Sequence, residues 1–298
     1  MNNNQLCRSV LFMPAHIERY IDNGIISDAD ILVFDIEDGV PFDKKETARA
    51  IIKRKLKTCK TTKPLFIRIN SRDSGMMEKG IEKLSCSSVN GFILTKVKTK
   101  YDILYVEKLL NKIEKIKGIK SNRIKIIPLI EVCEGVLNVL DIAKASKRNI
   151  ALIFGHEDFL ADLQIENDCN VLRIPKMMVA MAARAAGIQP INSPYLHIKD
   201  AKGCVKHIKE SLKLGFCGMM VLHPTQIRFA NKEFLPSKEK IDWAQKIIAL
   251  DEIGMKNGRS VTYSNGCFVA PPIVKRAKNI ISIVEYSKKM GDSLFRRK

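Results

Sequence analysis

The chain has 298 residues, with 51 Lys and Arg against 32 Asp and Glu, a formal charge of +19. Apolar residues make up 46% and charged residues 28%, a balance that supports a sizeable core and excludes global disorder. No stretch approaches the ~18 apolar residues of a membrane helix, and the polar start with its short apolar run Val10–Ala15 does not read as a signal peptide.

Short apolar strands alternate with longer helical stretches. Ser9–Met13 precedes a predicted helix over His16–Gly24, and Ile31–Ile36 precedes Lys44–Leu56. Leu65–Ile69 leads into a variable segment, Ser71–Ser88. Phe92–Val97 precedes Ile103–Ile116, and Ile124–Ile130 precedes Gly135–Ala145. Ile150–Phe154 is followed, after a loop, by Met177–Ala186. Gln189–Leu196 precedes Gly203–Leu214, and Met219–Leu222 precedes Lys238–Leu250. Strands alternating with helices imply parallel pairing through crossover helices, and eight such units predict an α/β fold, a TIM (β/α)8 barrel. A doubly wound open sheet is the alternative, but its G-x-G-x-x-G turn is missing from the sequence. The barrel is expected over residues 1–257, with a C-terminal helical extension, or lid, over 258–298. Within that tail Pro271-Pro272 break the pattern, and Ile273–Lys289 reads as a further helix.

The cysteines, Cys7, Cys59, Cys86, Cys133, Cys169, Cys204, Cys217 and Cys267, are scattered without a C-x-x-C pair. A disulfide scaffold is denser and a zinc site clusters its ligands, so reduced thiols in a cytoplasmic protein are expected. Much of the positive charge is lysine, in stretches such as 53–60 and 112–125. It reads either as solvated helix surface or as a surface for an anionic partner. Nucleic acid is poorly supported, because aromatics are only 6% and no recognition motif appears. Neither a nucleic-acid nor a membrane partner is expected.

Barrel active sites lie at the C-terminal ends of the strands, and ionisable residues gather there. Strand two ends in Asp35-Ile36-Glu37-Asp38 and strand three carries Arg68 and ends at Asn70. Strand four carries Lys96, strand five ends at Glu131, and strand six runs into Gly155-His156-Glu157-Asp158. Strand eight ends at His223-Pro224. Glu131 and Asp158, at neighbouring strand mouths, suit a shared Mg²⁺, which takes one or two carboxylates plus substrate oxygens. The alternative is that each caps a helix or pairs with a lysine. Arg68 suits a carboxylate or developing enolate, or else a structural ion pair with Asp35 or Glu37. Lys96 neutralises the same anion or simply snorkels. His223 is a candidate base, or else fixes its loop.

Here the residues carry a resemblance. Arg8-Ser9-Val10-Leu11-Phe12-Met13-Pro14, then Phe34-Asp35-Ile36-Glu37-Asp38-Gly39-Val40, resembles the opening of the citrate lyase β-subunit-like family. That family stands with the malyl-CoA and citramalyl-CoA lyases and the HpcH/HpaI-type aldolases. Ile67-Arg68-Ile69-Asn70 resembles its arginine strand, and Pro128-Leu129-Ile130-Glu131 with Glu134-Gly135-Val136 its metal-glutamate segment. Phe154-Gly155-His156-Glu157-Asp158-Phe159 resembles its G-x-E-D segment. Ala182-Ala183-Arg184-Ala185-Ala186-Gly187 and His223-Pro224-Thr225-Gln226-Ile227 extend the likeness over nearly the whole chain.

The resemblance implies a homo-oligomer, usually a trimer, and a Mg²⁺-dependent carbon–carbon lyase. Its substrate would be a 3-hydroxyacyl thioester, linked to CoA or to an acyl carrier. Citramalyl-CoA, malyl-CoA and citryl thioesters are candidates, cleaved to an acetyl thioester and a 2-ketoacid. Glu131 and Asp158 would be the metal ligands, with Asp35, Glu37 and Asp38 holding metal-bound waters. Arg68 would stabilise the enolate, and substrate would contact Arg68, Lys96, Glu131 and Asp158. A malyl-CoA-type thioesterase, a free-ketoacid aldolase and a catalytically impaired binding protein are the alternatives. The sequence departs from the family pattern at Ala270, where many members carry a lid aspartate. It also departs at Thr95-Lys96-Val97-Lys98, which usually reads Pro-Lys-hydrophobic-Glu, and at Pro14-Ala15, usually Pro-Gly.

Overall fold

A computed structural model describes residues 7–166, 170–264 and 266–289. Two compact units divide it, one formed by Cys7–Asn231 and the other beginning at Lys232.

The first unit is the barrel. Its strands are β1 (Ser9–Pro14), β2 (Ile31–Asp35), β3 (Leu65–Ile69), β4 (Gly91–Leu94), β5 (Lys125–Ile130), β6 (Ala151–Phe154), β7 (Gln189–Asn192) and β8 (Gly218–Val221). They pair in sequence order, and β8 closes on β1 through Ser9 opposite Met219. The recorded pairings are parallel, as crossover helices require. The helices between them are α1 (Glu18–Ile26), α2 (Lys45–Thr58), α3 (Met77–Leu84), α4 (Lys100–Ile116), α5 (Cys133–Leu137), α6 (Val139–Lys144), α7 (His156–Leu163), α8 (Arg173–Ala185) and α9 (Ala201–Lys213). The helix α10 (Pro224–Glu233) follows β8.

Strands in such a barrel are buried on both faces, which explains their near-continuous apolar sequence. Side chains nevertheless alternate along each strand. Val10 and Phe12, Ile31 and Val33, Ile127 and Leu129, and Ala151 and Ile153 share one buried cluster with Phe66, Ile93, Ile191 and Met220. That cluster is the barrel interior, filled by every second residue. Extending the same alternation one step further places Asp35, Arg68 and Glu131 at its C-terminal mouth.

Several elements depart from their sequence reading for identifiable reasons. The segment Ser71–Ser88 holds α3, and the loop after β6 holds α7. Strand β4 stops at Leu94 because Lys96 turns left-handed, with φ 52°, a conformation no strand continues through. Strand β7 stops at Asn192, two residues before Pro194. The helix after β8 is α10, not Lys238–Leu250. It starts with Pro224, whose fixed φ suits a first helical turn.

The second unit comprises α11 (Lys238–Lys256), a hairpin of β9 (Thr262–Ser264) and β10 (Cys267–Val269), and α12 (Pro271–Lys289). Ala244, Ile247, Val269, Val274 and Ala277 form its own core. The compact division thus falls at 231/232, whereas the sequence reading set it at 257/258, because α11 packs with α12. Pro271 and Pro272 open α12 rather than interrupt it. Among the described residues no helix is long and apolar enough to cross a membrane. The seven described cysteines form no disulfide, and Cys169 lies outside the described residues.

Candidate active site

Asp35, at the end of β2, is 2% exposed. Its two oxygens accept from Arg68 Nε at 2.7 Å and Arg68 Nη2 at 2.6 Å. This two-bond fork fixes the guanidinium plane. Arg68 Nη1 also lies 3.1 Å from Glu37 Oε2. The guanidinium sits 5.4 Å from the Phe12 ring. Burial alone opposes the Arg68 charge, but Asp35 and Glu37 more than restore it and raise its pKa. The ion-pair reading of Arg68 is therefore met in the structure, and the charge stays inside the mouth.

The acidic turn after β2 is held by its own backbone. Glu37 N–H donates to Asp35 Oδ1 at 2.9 Å, and Gly39 N–H to Asp35 Oδ2 at 3.2 Å. A Cβ on Gly39 would lie 2.4 Å from Asp35 Oδ2, so that position must be glycine for the approach to exist. Asp38 N–H donates to Glu37 Oε2 at 2.8 Å, while the Asp38 side chain is exposed at the rim. Burial pushes the Glu37 carboxyl up to about 7, against the lowering effect of Arg68.

Glu131 follows β5 and is 2% exposed. Its Oε1 accepts the Lys96 N–H at 2.8 Å. On the neighbouring strand a Cβ at Gly155 would fall 2.7 Å from Glu131 Oε2, so glycine makes room for the carboxylate. Burial, then the charge of Asp158, pushes Glu131 up to about 8. Asp158 lies in the first turn of α7, half-buried. Burial, then Asp38, raises its pKa, and Lys96 works in the opposite direction. Lys96 Nζ stands 3.8 Å from Asp158 Oδ1 and 3.9 Å from Glu37 Oε1.

The structure thus brings Asp35, Glu37, Arg68, Lys96, Glu131 and Asp158 together at one barrel mouth, with Asp38 at its edge. His223 is not drawn into this set. Its Nδ1 lies 2.9 Å from Thr225 Oγ1 and accepts the Thr225 N–H, which fixes the turn into α10. Lys98 Nζ pairs with Asp73 at 2.9 Å in the loop outside β3. Ala270 belongs to the second compact unit, where it is buried.

Two residues that support the site were not among the sequence candidates. Lys45 of α2 is buried, and its Nζ donates to the Ile36 carbonyl at 3.0 Å and the Glu37 carbonyl at 2.6 Å. Arg49, one turn on, donates to Asn70 Oδ1 at 3.4 Å, and Asn70 Nδ2 donates to the Ile36 carbonyl at 3.1 Å. Both cations share the buried face of α2 with Ala48, Ile52 and Leu56. Cations in an otherwise apolar stripe are the signal that marks them.

Among the described residues no group of three or more His, Cys, Asp or Glu is arranged to hold a metal. The available donor set is the pair Glu131 and Asp158. Oxygen-only donors suit Mg²⁺, which completes its shell with water and substrate oxygens. Both carboxyls are held above their ordinary range by burial and negative neighbours. A cation between them removes that repulsion, so the residues fit the ion.

The sequence pattern of the HpcH/HpaI aldolase/citrate lyase family matches residues 8–224. The chain belongs to this family. A citrate lyase subunit beta from Leuconostoc mesenteroides subsp. cremoris is 30% identical over 286 residues, covering 95% of each chain. The mitochondrial citramalyl-CoA lyase of Homo sapiens is also 30% identical, over 93% of this chain and 85% of its own. The structure of the protein CitE from Mycobacterium tuberculosis, solved with magnesium, acetoacetate and coenzyme A, aligns with a TM-score of 0.75. It is 22% identical and covers 94% of this chain and 97% of its own. This family member is therefore an enzyme of the lyase type, on the barrel its sequence predicts.

Proposed function

We propose that the chain is a Mg²⁺-dependent carbon–carbon lyase acting on a short 3-hydroxyacyl thioester, of citramalyl-CoA, malyl-CoA or citryl type. The names of the relatives, and the magnesium and coenzyme A of the CitE structure, support the reaction class. The observation that carries it is the convergence of Glu131, Asp158 and Arg68 at one mouth, with Arg68 locked by Asp35.

Cleavage removes the substrate's hydroxyl proton and breaks the adjacent C–C bond. The hydroxyl carbon becomes the ketoacid carbonyl, and the bond's electron pair passes to the enolate of the acetyl thioester. Protonation of that enolate completes the products. Glu131 and Asp158 would hold Mg²⁺, which when bound supplies positive charge to substrate hydroxyl and carboxylate oxygens. Arg68 faces the mouth with a fixed guanidinium and stabilises negative charge as it develops on the thioester oxygen. Asp35 and Glu37 hold that guanidinium in place, so it does not reorganise during the reaction. Glu37 holds a carboxyl near the neutral range, poised to keep or give a proton around pH 7. A cleft beside the mouth is lined by Lys96 together with the pairs Lys98–Asp73 and Arg72–Asp102, and Lys96 is the cation it offers to the anionic carrier of the thioester. We place the protein in the cytoplasm as a homo-oligomer, the trimer its family resemblance implies.

The test is a panel of hydroxyacyl-CoA substrates with Mg²⁺, read by mass spectrometry. Acetyl-CoA plus a ketoacid is expected. Free CoA with an intact hydroxyacid makes the enzyme a thioesterase instead. Glu131→Ala and Asp158→Ala should each abolish turnover and Mg²⁺ binding, and full activity in either overturns the assignment.

A further inference from the structure

Three cations approach the acids at the mouth, and they are held in different ways. Arg68 is clamped by short paired bonds to Asp35 and its side chain is 14% exposed. Lys45 spends its ammonium on two backbone carbonyls. Lys96 has neither kind of anchor. Its Nζ stands 3.9 Å from Glu37 and 3.8 Å from Asp158, beyond hydrogen-bond length, and its side chain is 38% exposed. Charge holds it there, on a flexible four-carbon stem.

The backbone of the same residue is unusual. Lys96 has φ 52°, a left-handed conformation that a side chain with Cβ adopts at a cost. That turn accompanies two placements at once: the N–H reaches Glu131 Oε1 and the ammonium stands beside Asp158. One residue therefore touches both proposed metal ligands, one through its amide and one through its charge.

From this we infer that Lys96 is a built-in counter-cation: it neutralises the carboxylates while no divalent ion is bound, and gives way when one binds. This rests on the reading of Glu131 and Asp158 as the metal pair. Once ionised, a buried set of acids with no cation beside it repels itself and loses its geometry. A mobile ammonium keeps the set ordered, yet competes with the divalent ion for Asp158. Lys96 thus lowers metal affinity in exchange for a preformed site. Once displaced, its ammonium stands free beside the cleft for an anionic group of the substrate. The N–H to Glu131 is independent of the side chain and is kept in both states.

The test uses the full chain and Mg²⁺ alone, by titration calorimetry, with Mn²⁺ resonance as a second probe. Lys96→Met should bind Mg²⁺ ~10-fold more tightly, the scale of a half-exposed charge removed beside a cation. Lys96→Gly should do the same, and it tolerates the left-handed turn and keeps the N–H, so it serves if the Met variant folds poorly. Lys96→Arg should stay near wild type. In the absence of Mg²⁺, Lys96→Met should melt lower than wild type and gain more from added Mg²⁺. Equal or weaker Mg²⁺ binding by both the Met and Gly variants, with wild type binding normally, overturns the counter-cation role and leaves the metal pair standing. No Mg²⁺ binding by wild type or any variant overturns the metal pair, and the counter-cation role with it.

Discussion

At the scale of single residues, the mouth is built by close approaches that admit little change. Gly155→Ala puts a Cβ 2.7 Å from Glu131 Oε2 and 2.9 Å from Glu131 Cβ, so the carboxylate must move. Mg²⁺ affinity and turnover should fall together while the barrel still folds, which calorimetry and circular dichroism would show. Unchanged Mg²⁺ binding in that variant means Glu131 does not need its observed position. Arg68→Lys keeps a positive charge but loses the two-bond fork to Asp35. Its kcat/KM should drop ~10²–10³-fold, the usual cost of a misplaced electrostatic donor. Arg68 and Glu131 are legible in sequence because they interrupt or end apolar strands, whereas Asp158 lies past the end of β6, in the first turn of α7. The handedness of Lys96 is not legible, because nothing in Thr95-Lys96-Val97 demands a positive φ. It follows from where the N–H must point, which only the neighbouring strand defines. Lys45 and Arg49 are not legible as supports of the site, since the buried face of α2 is fixed only by docking.

At the scale of elements, opposite ends of the barrel have different purposes. The C-terminal mouth gathers acids that are incompletely neutralised, whereas elsewhere the barrel buries a saturated pair. Glu114 of α4 and Arg148, which precedes β6, are each 1% exposed and joined by two bonds of 2.9 and 2.6 Å. Arg148 also donates to the Ile124 carbonyl at 2.6 Å and to Asn111 at 2.6 Å. Glu114 accepts the backbone N–H groups of Asn122 and Ile124, each at 2.8 Å. This network ties α4 to the entries of β5 and β6. Breaking one partner leaves a buried charge alone, so Arg148→Met should cost ~3–5 kcal/mol in urea unfolding. Mg²⁺ affinity of the folded fraction should not change, and a loss of affinity would refute a purely structural role. The α/β repeat is legible because eight short apolar strands recur along the chain with longer segments between them. The helices α3, α7 and α10 were harder to read. Two are only eight residues long, and the third begins at a proline that also reads as a loop.

At the scale of the whole molecule, the +19 charge and the acidic mouth are separate features. The lysines that build the charge, such as Lys53, Lys57, Lys112, Lys115 and Lys120, are exposed. At the mouth Asp35, Glu37 and Glu131 are buried and Asp158 half-buried, and the burial of titratable groups gives stability two opposed pH dependences. Burial, then Lys176, holds the His207 imidazole near 4, below its ordinary 6.5. The unfolded chain therefore takes up that proton first, and stability is lost as pH falls from about 6.5 towards 4. Glu37 and Glu131 run the other way, held near 7 and 8 against an ordinary 4.5. The folded state keeps their protons longer, so stability is lost as pH rises from about 4.5 through 7 and 8. Melting temperature without divalent ions should therefore peak in the mildly acidic range and decline on both sides. Saturating Mg²⁺ should lift the alkaline limb, because it binds the ionised pair, and leave the acid limb where it was. Burial, then Lys176, holds His156 near 4 as well, so His207→Gln should weaken the acid limb in part and leave the alkaline limb unchanged. A Mg²⁺ effect of equal size at pH 5 and pH 8.5 would contradict the assignment of the alkaline limb to the carboxyls at the mouth.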